Sequence, residues 1–231
     1  MLQYDPHPKR TRDARQKGVR KVFTRSKKTA RSYFPSRKVG LRIPLESSLE
    51  LDFVYLLETD PRVTFFQAQP VRLDLWIDGE LRHHFPDFLI ETKCFRTLAE
   101  VKPEKRASQD AYIACFEASA DKLQAEDKQY RVFTEEWICR EPALTNAQLI
   151  CRFASDVIDP AHELEIMKKV RIEGTPVAEV TGGDRDLHGA VFGLCRLGRL
   201  AIDRDTDEIG ETTKLYPLQV VQPLTDFGQR Y

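Results

Sequence analysis

The chain has 231 residues, of which 41% are hydrophobic and 31% charged, with a formal net charge of zero. That balance excludes collagen-like, mucin-like and wholly disordered chains and fits one domain plus a smaller second one. No stretch approaches the roughly 18 to 20 apolar residues of a membrane-spanning helix. The basic N-terminus lacks the apolar segment of a secretory signal, so no export and a cytoplasmic location are expected. Five scattered cysteines (Cys94, Cys115, Cys139, Cys151, Cys195) form no Cys-x-x-Cys pair. They read as buried free thiols in a reducing compartment, not as a zinc site.

The zero net charge conceals an asymmetry. Residues 1–42 carry 14 Lys or Arg against Asp5 and Asp13, a net of +12, whereas residues 43–140 sum to −7 and residues 141–231 to −5. A basic arm on an acidic body is the pattern of a nucleic-acid binder, because each cation that neutralises a phosphate releases counterions. Arg20, Lys21, Arg25, Lys27, Lys28, Arg31, Arg37 and Lys38 are the positions assigned to DNA. The arm, residues 1–31, has little apolar periodicity and is expected to be extended or ordered only on binding.

A first helix is predicted from Ser47, where Ser47-x-x-Glu50 forms a capping box ahead of Leu49, Phe53, Leu56 and Leu57 on one face. Asp60-Pro61 ends it. Val63 to Gln69 reads as a strand, and Val71 to Ile77 alternates with period two. Asp78-Gly79 signals a hairpin that returns the chain through Glu80 to Ile90. A strand over Arg96 to Lys102, a helix from Ser108 to Asp127 and a strand over Tyr130 to Thr134 complete an α/β domain with a mixed sheet, spanning 32–142. Beyond it, helices at 145–155, 160–171 and 186–197 precede a hairpin of Leu200–Asp203 and Lys214–Leu218, the outline of a winged helix over 143–231.

Chemistry concentrates at one sheet end. Pro86-Asp87 lies near the start of one strand and Glu100-Val101-Lys102 at the end of the next. Period two puts Glu100 and Lys102 on one face, and a turn flanked by residues 91 and 98 would set Asp87 across from about Lys102. Two carboxylates, the Val101 carbonyl and an ammonium suit phosphodiester hydrolysis. Hard oxygens hold Mg²⁺ (with Mn²⁺ as a substitute), and the lysine orients or deprotonates water or neutralises charge. The sequence has two other Glu-x-Lys pairs, Glu91/Lys93 and Glu126/Lys128. Glu91 would lie roughly 13 Å along the strand from Asp87, too far to share a metal, and Glu126 falls on a predicted helix. The bland alternative is a cross-strand ion pair. Glu50 is either a third carboxylate or only a helix cap, and Gln69 either supports the site or ends a strand. His83 and His84, on opposite faces, read as surface or substrate-contacting residues.

These residues resemble the TnsA family, endonuclease subunits of heteromeric transposases within the restriction-endonuclease-like PD-(D/E)xK superfamily. The resembling segments are Tyr33–Lys38, Glu46–Glu50, Leu56–Asp60, Gln69-Pro70, Pro86–Leu89 and Glu100–Pro103. The resemblance implies that Glu50, Asp87 and Lys102 match catalytic positions, with Glu100 where some relatives carry Gln. It implies bacterial cytoplasm, cleavage of the 5′ strand at transposon ends in double-stranded DNA, and two partners: a TnsB-like DDE transposase and a TnsC-like AAA+ regulator. Asp203, Asp205, Asp207, Glu208 and Glu211 crowd the expected wing, which favours protein docking there, although Arg196 and Arg199 could still touch DNA. A stand-alone PD-(D/E)xK nuclease and a non-catalytic DNA-binding scaffold remain the alternatives.

Overall fold

The computed structural model describes residues 16–19, 32–126, 128–221 and 229–230. Arg20, Lys21, Arg25, Lys27, Lys28 and Arg31 of the arm therefore lie outside the described residues. A short hairpin of β1 (Ser32–Pro35) and β2 (Arg42–Leu45) leads into α1 (Ser48–Thr59). Ser47 caps that helix, its hydroxyl accepting from the Glu50 amide at 3.1 Å. Capping satisfies an amide that the first turn cannot. The helix buries Phe53, Val54, Leu56 and Leu57.

β3 (Val63–Ala68) is followed by the hairpin β4 (Leu73–Ile77) and β5 (Glu80–His84), then β6 (Phe88–Thr92) and β7 (Arg96–Val101). Asp78 and Gly79 both have positive φ, 53° and 78°. Two left-handed residues at a two-residue turn match the right-handed twist of the flanking strands. The returning strand does not run unbroken to Ile90. It breaks over Phe85–Asp87, where Pro86 has no amide to give a ladder. As a result β4 and β5 form a separate two-stranded sheet, while β6 joins the main one.

After α2 (Glu104–Ala107) and α3 (Asp110–Gln124) come β8 (Gln129–Phe133), α4 (Glu135–Ile138) and α5 (Ala143–Phe153). The main sheet has the order β3-β6-β7-β8 with β12 (Gln229–Arg230) at its edge. β3, β6 and β7 are antiparallel neighbours and β7–β8 is parallel, so the sheet is mixed. One face packs on α1 through Phe53, Leu57, Phe66, Phe88, Ile90 and Phe133. The other packs on α3 and the β4–β5 hairpin through Leu75, Leu98, Phe116, Leu123, Tyr130 and Val132. Phe53, Phe66, Phe88 and Phe116 are fully buried, each contributing about 1.5–3 kcal/mol of transfer free energy.

The last unit holds α6 (Pro160–Lys169), β9 (Thr175–Pro176), α7 (Val177–Thr181), α8 (Arg185–Arg196), β10 (Ala201–Ile202) and β11 (Lys214–Tyr216), with strand order β10-β11-β9. It is not a detached module. α5 packs Ala143, Leu144 and Ala147 into the first core and Ile150 into the second. Among the described residues no helix is long and apolar enough to cross a membrane. The five cysteines are free, but Cys94 and Cys139 are exposed instead of buried.

Candidate active site

The register differs from the expected one by two residues. Glu91 pairs with Arg96 and Phe88 with Ala99, so Asp87 stands across from Glu100, not Lys102. Thr92 makes the short turn: its hydroxyl accepts from the Cys94 and Phe95 amides at 3.2 and 3.1 Å. The shift is an even number, so the faces are kept, and Asp87, Glu100 and Lys102 still share one side of the sheet. On the other flank the Gln69 amide donates to the Asp87 carbonyl at 2.8 Å, continuing the β3–β6 ladder. Gln69, Asp87 and Glu100 thus form one row across three strands.

Asp87 is half-buried, and its Oδ2 accepts from the Val101 amide at 2.8 Å. In an extended residue N–H and C=O point to the same side, which sets the Val101 carbonyl on the Asp87 side; the Lys102 amide turns the other way to Phe133 O, 3.0 Å. Burial and the Glu100 and Glu50 carboxylates push Asp87 well above the usual carboxylate range, against the pull of Lys102. Glu100 is 3% exposed. Its Oε1 lies 2.8 Å from Lys102 Nζ, and its Oε2 lies 3.3 Å from His84 Nε2. Oε2 is buried and makes no close hydrogen bond, but it is not unpartnered, because His84 Nε2 stands against it as an ion pair. Burial works to raise Glu100, but His84 and Lys102 overcome it and keep the carboxyl low. Burial likewise opposes charge on Lys102, yet Glu100 and Asp87 hold it above the ordinary lysine value. Lys102 is an ammonium here, over the Tyr112 ring at 5.6 Å.

Glu50 is a helix cap and a neighbour of the site. Its two oxygens accept from the Ser47 hydroxyl (3.0 Å) and the Glu46 amide (2.9 Å). Burial raises its pKa, and it senses the charge of Lys102 as well as that of Asp87. The other Glu-x-Lys pairs stand apart. Glu91 pairs with Arg96 at 2.8 Å and exposed Glu126 with Lys128 at 2.6 Å.

Sequence reasoning missed the backing of the site. His84 is no surface residue: its side chain is 14% exposed, and Nε2 lies 3.1 Å from the hydroxyl of buried Tyr130. Burial would lower its pKa, but Cys115 and Glu100 raise it to about 10. His83 turns outward to Asp74 at 2.7 Å. The alternation separating the two histidines was readable. That His84 ends up behind Glu100 was not, because Phe85–Asp87 carries the chain between sheets.

Arg37 and Lys38 are engaged within the protein. Arg37 pairs with Asp156. Lys38 donates to the Leu57 and Asp60 carbonyls at the α1 C-terminus, where a cation offsets the helix dipole. Burial lowers its pKa to about 8 despite Glu58 and Asp60. Of the two arginines of the carboxy-terminal unit that could still touch DNA, Arg196 is 6% exposed and bonded to Glu58, while Arg199 pairs with Glu163.

The chemistry of the donor set fits a hard divalent cation: the Glu100 carboxylate, an adjacent Asp87 whose charge is unfavourable without one, and the Val101 carbonyl. Among the described residues no group of three or more His, Cys, Asp and Glu is arranged to hold a metal ion, so the protein side chains would supply two carboxylates at most. Two carboxylates with backbone oxygen would leave positions for water and phosphate. No protein-family model and no curated protein matches the chain.

Proposed function

We propose that the chain is a metal-dependent DNA endonuclease, and that it serves as the TnsA-type subunit of a heteromeric transposase. The observation that carries the first part is the row of Asp87 and Glu100 with Lys102 beside it, on adjacent strands at one sheet end. Asp87, Glu100 and the Val101 carbonyl would hold Mg²⁺ or Mn²⁺. Such a cation stabilises charge on a scissile phosphate and lowers the pKa of a bound water. Lys102, an ammonium, neutralises phosphate charge and orients the water, and Glu50 adds negative charge at the rim. His84 and Tyr130 hold Glu100 from behind.

The second part rests on the resemblance of segments within residues 33–103 and on the carboxy-terminal unit. α6 to α8 with β9–β11 have the outline of a winged helix. Its last helix is covered, since Gly189 and Gly193 admit the 155–158 segment: a Cβ at either would meet Ser155 or Ile158 at 3.0 Å or less. Exposed Asp205, Asp207, Glu208 and Glu211 repel phosphate. Both features support protein docking over groove reading. The test is DNA cleavage with Mn²⁺, alone and with whatever DDE transposase and AAA+ regulator the neighbouring genes encode. Cuts at transposon 5′ ends only with the partners support the proposal; partner-independent cutting favours a stand-alone nuclease, and no cutting with partners overturns both.

A further inference from the structure

Residues 16–19 form a strap along the outer edge of β3. The Gln16 side chain acts like a peptide group there, accepting from the Ala68 amide at 2.7 Å and donating to Phe66 O at 2.9 Å. The strap ends at the candidate site, where the Val19 amide donates to Gln69 O at 2.9 Å. Gln69 is therefore fixed on both sides, by Val19 and by the Asp87 carbonyl. Its φ is +44°, unusual for a residue with a Cβ. Such conformations persist only where the surroundings over-determine them, and they gather at functional sites.

Gln69 is also 5% exposed, and its amide oxygen is buried with no hydrogen-bond donor. A buried acceptor left without a partner is costly, so a glutamine kept there calls for a ligand. Across the row, Gln69 and Glu100 flank Asp87; the Gln69 amide oxygen has no protein donor, whereas Glu100 Oε2 faces the His84 ring at 3.3 Å. We propose that the Gln69 amide oxygen is a further ligand, direct or through one water, for the divalent cation held by Asp87 and Glu100, and that the 16–19 strap positions it. This rests on the metal-dependent reading above. An amide oxygen is a hard donor suited to Mg²⁺ and Mn²⁺, and it adds no charge to an already anionic site.

Gly18 links the strap to this residue. A Cβ there would lie 3.0 Å from the Gln69 Cβ and 3.1 Å from its carbonyl oxygen, so Gly18→Val forces the strap away from Gln69. Mn²⁺ binding to the full chain, without DNA, is measured by electron paramagnetic resonance for wild type, Asp87→Asn, Gln69→Leu, Gln69→Glu and Gly18→Val. Asp87→Asn loses binding. Gln69→Leu and Gly18→Val each weaken it by about 10-fold or more, as loss of a supporting partner does, while Gln69→Glu binds at least as tightly as wild type. Wild-type affinity in Gln69→Leu, with Asp87→Asn still defective, would overturn the role of Gln69 and leave the metal reading intact. Leucine-like weakness in Gln69→Glu would also overturn it. Absence of Mn²⁺ binding by wild type at millimolar metal would sink both.

Discussion

Arg196 in α8 reaches Glu58 in α1, with Nη2 3.2 Å from Oε1 and 138 residues between them in sequence. Glu58 is fully buried and also accepts from the Ser36 hydroxyl and the Arg37 amide, both at 2.6 Å. Alongside, Arg204 donates to Leu56 O at 2.7 Å and faces Asp60. The end of α1 is thus the weld between the main α/β unit and the carboxy-terminal one. Removing one member of a buried pair strands the other charge, at a cost of about 3–5 kcal/mol. Arg196→Ala should lose that much in denaturant unfolding. Arg196→Lys should recover only part, because one ammonium cannot replace a guanidinium that also reaches Pro35 O. Wild-type stability for Arg196→Ala would refute the weld.

Asp60 gives this joint a pH dependence. Burial opposes its charge, but Arg62 and Arg204 overcome that and hold its pKa at about 2, below the ordinary 3.8. A carboxyl depressed on folding stabilises the protein above its unfolded pKa, and that stability is lost as pH falls through the folded value. The contribution is about 2 kcal/mol, lost between roughly pH 4 and pH 2. Asp60→Asn should be less stable at pH 7 and should show a shallower loss of stability over that window. Equal slopes for the two proteins would contradict the assignment.

The basic arm and the 16–19 strap separate into a DNA-binding and a structural contribution. Deleting residues 1–15 removes Lys9, Arg10, Arg12 and Arg15. If each meets a phosphate, the slope of log affinity against log salt should flatten by about 3 to 4. The melting temperature should stay unchanged, because Gln16 remains on β3. Deleting 1–31 should flatten the slope further and also destabilise the body by at least about 2 kcal/mol, since the two Gln16 side-chain bonds are lost together with the Gln16 and Val19 amide bonds to Arg42 O and Gln69 O. Salt titration of DNA binding, with thermal melting of each variant, separates the two effects. An unchanged salt slope after deletion of 1–31 would show that the arm does not hold DNA.

Local signals were the legible ones. Ser47 and Glu50 announce the α1 cap, and Asp78-Gly79 announces a turn whose two residues both have positive φ. The even-numbered register error left the site face right, although the turn at Thr92–Phe95 carries no glycine, proline or asparagine to mark it. What failed depends on distant partners. Arg37, Lys38 and Arg196 look like free cations in sequence, and each is spent on an acceptor that only the fold brings near. The β1–β2 hairpin was not anticipated, since Pro35 and Pro44 mask its alternation. Gln69 read as either a support of the site or a strand end, and nothing in a Gln-Pro pair foretells a left-handed glutamine.

Replacement of Lys102 bears most directly on the nuclease proposal. Lys102 stands at a strand end over Tyr112, 2.8 Å from Glu100, and 21% of its side chain is exposed. Its loss removes charge from the reaction site without emptying the core. Removing one such group typically costs on the order of 10² to 10⁴ in rate. With the DDE transposase still cutting and joining 3′ ends, Lys102→Ala should assemble normally but shift products from simple insertions to cointegrates, and Asp87→Ala should do the same. The measurement is sequencing of insertion junctions from the reconstituted system. Cointegrates in both variants are the expected result; simple insertions at the wild-type fraction from Lys102→Ala would show that this chain does not cut the 5′ strand.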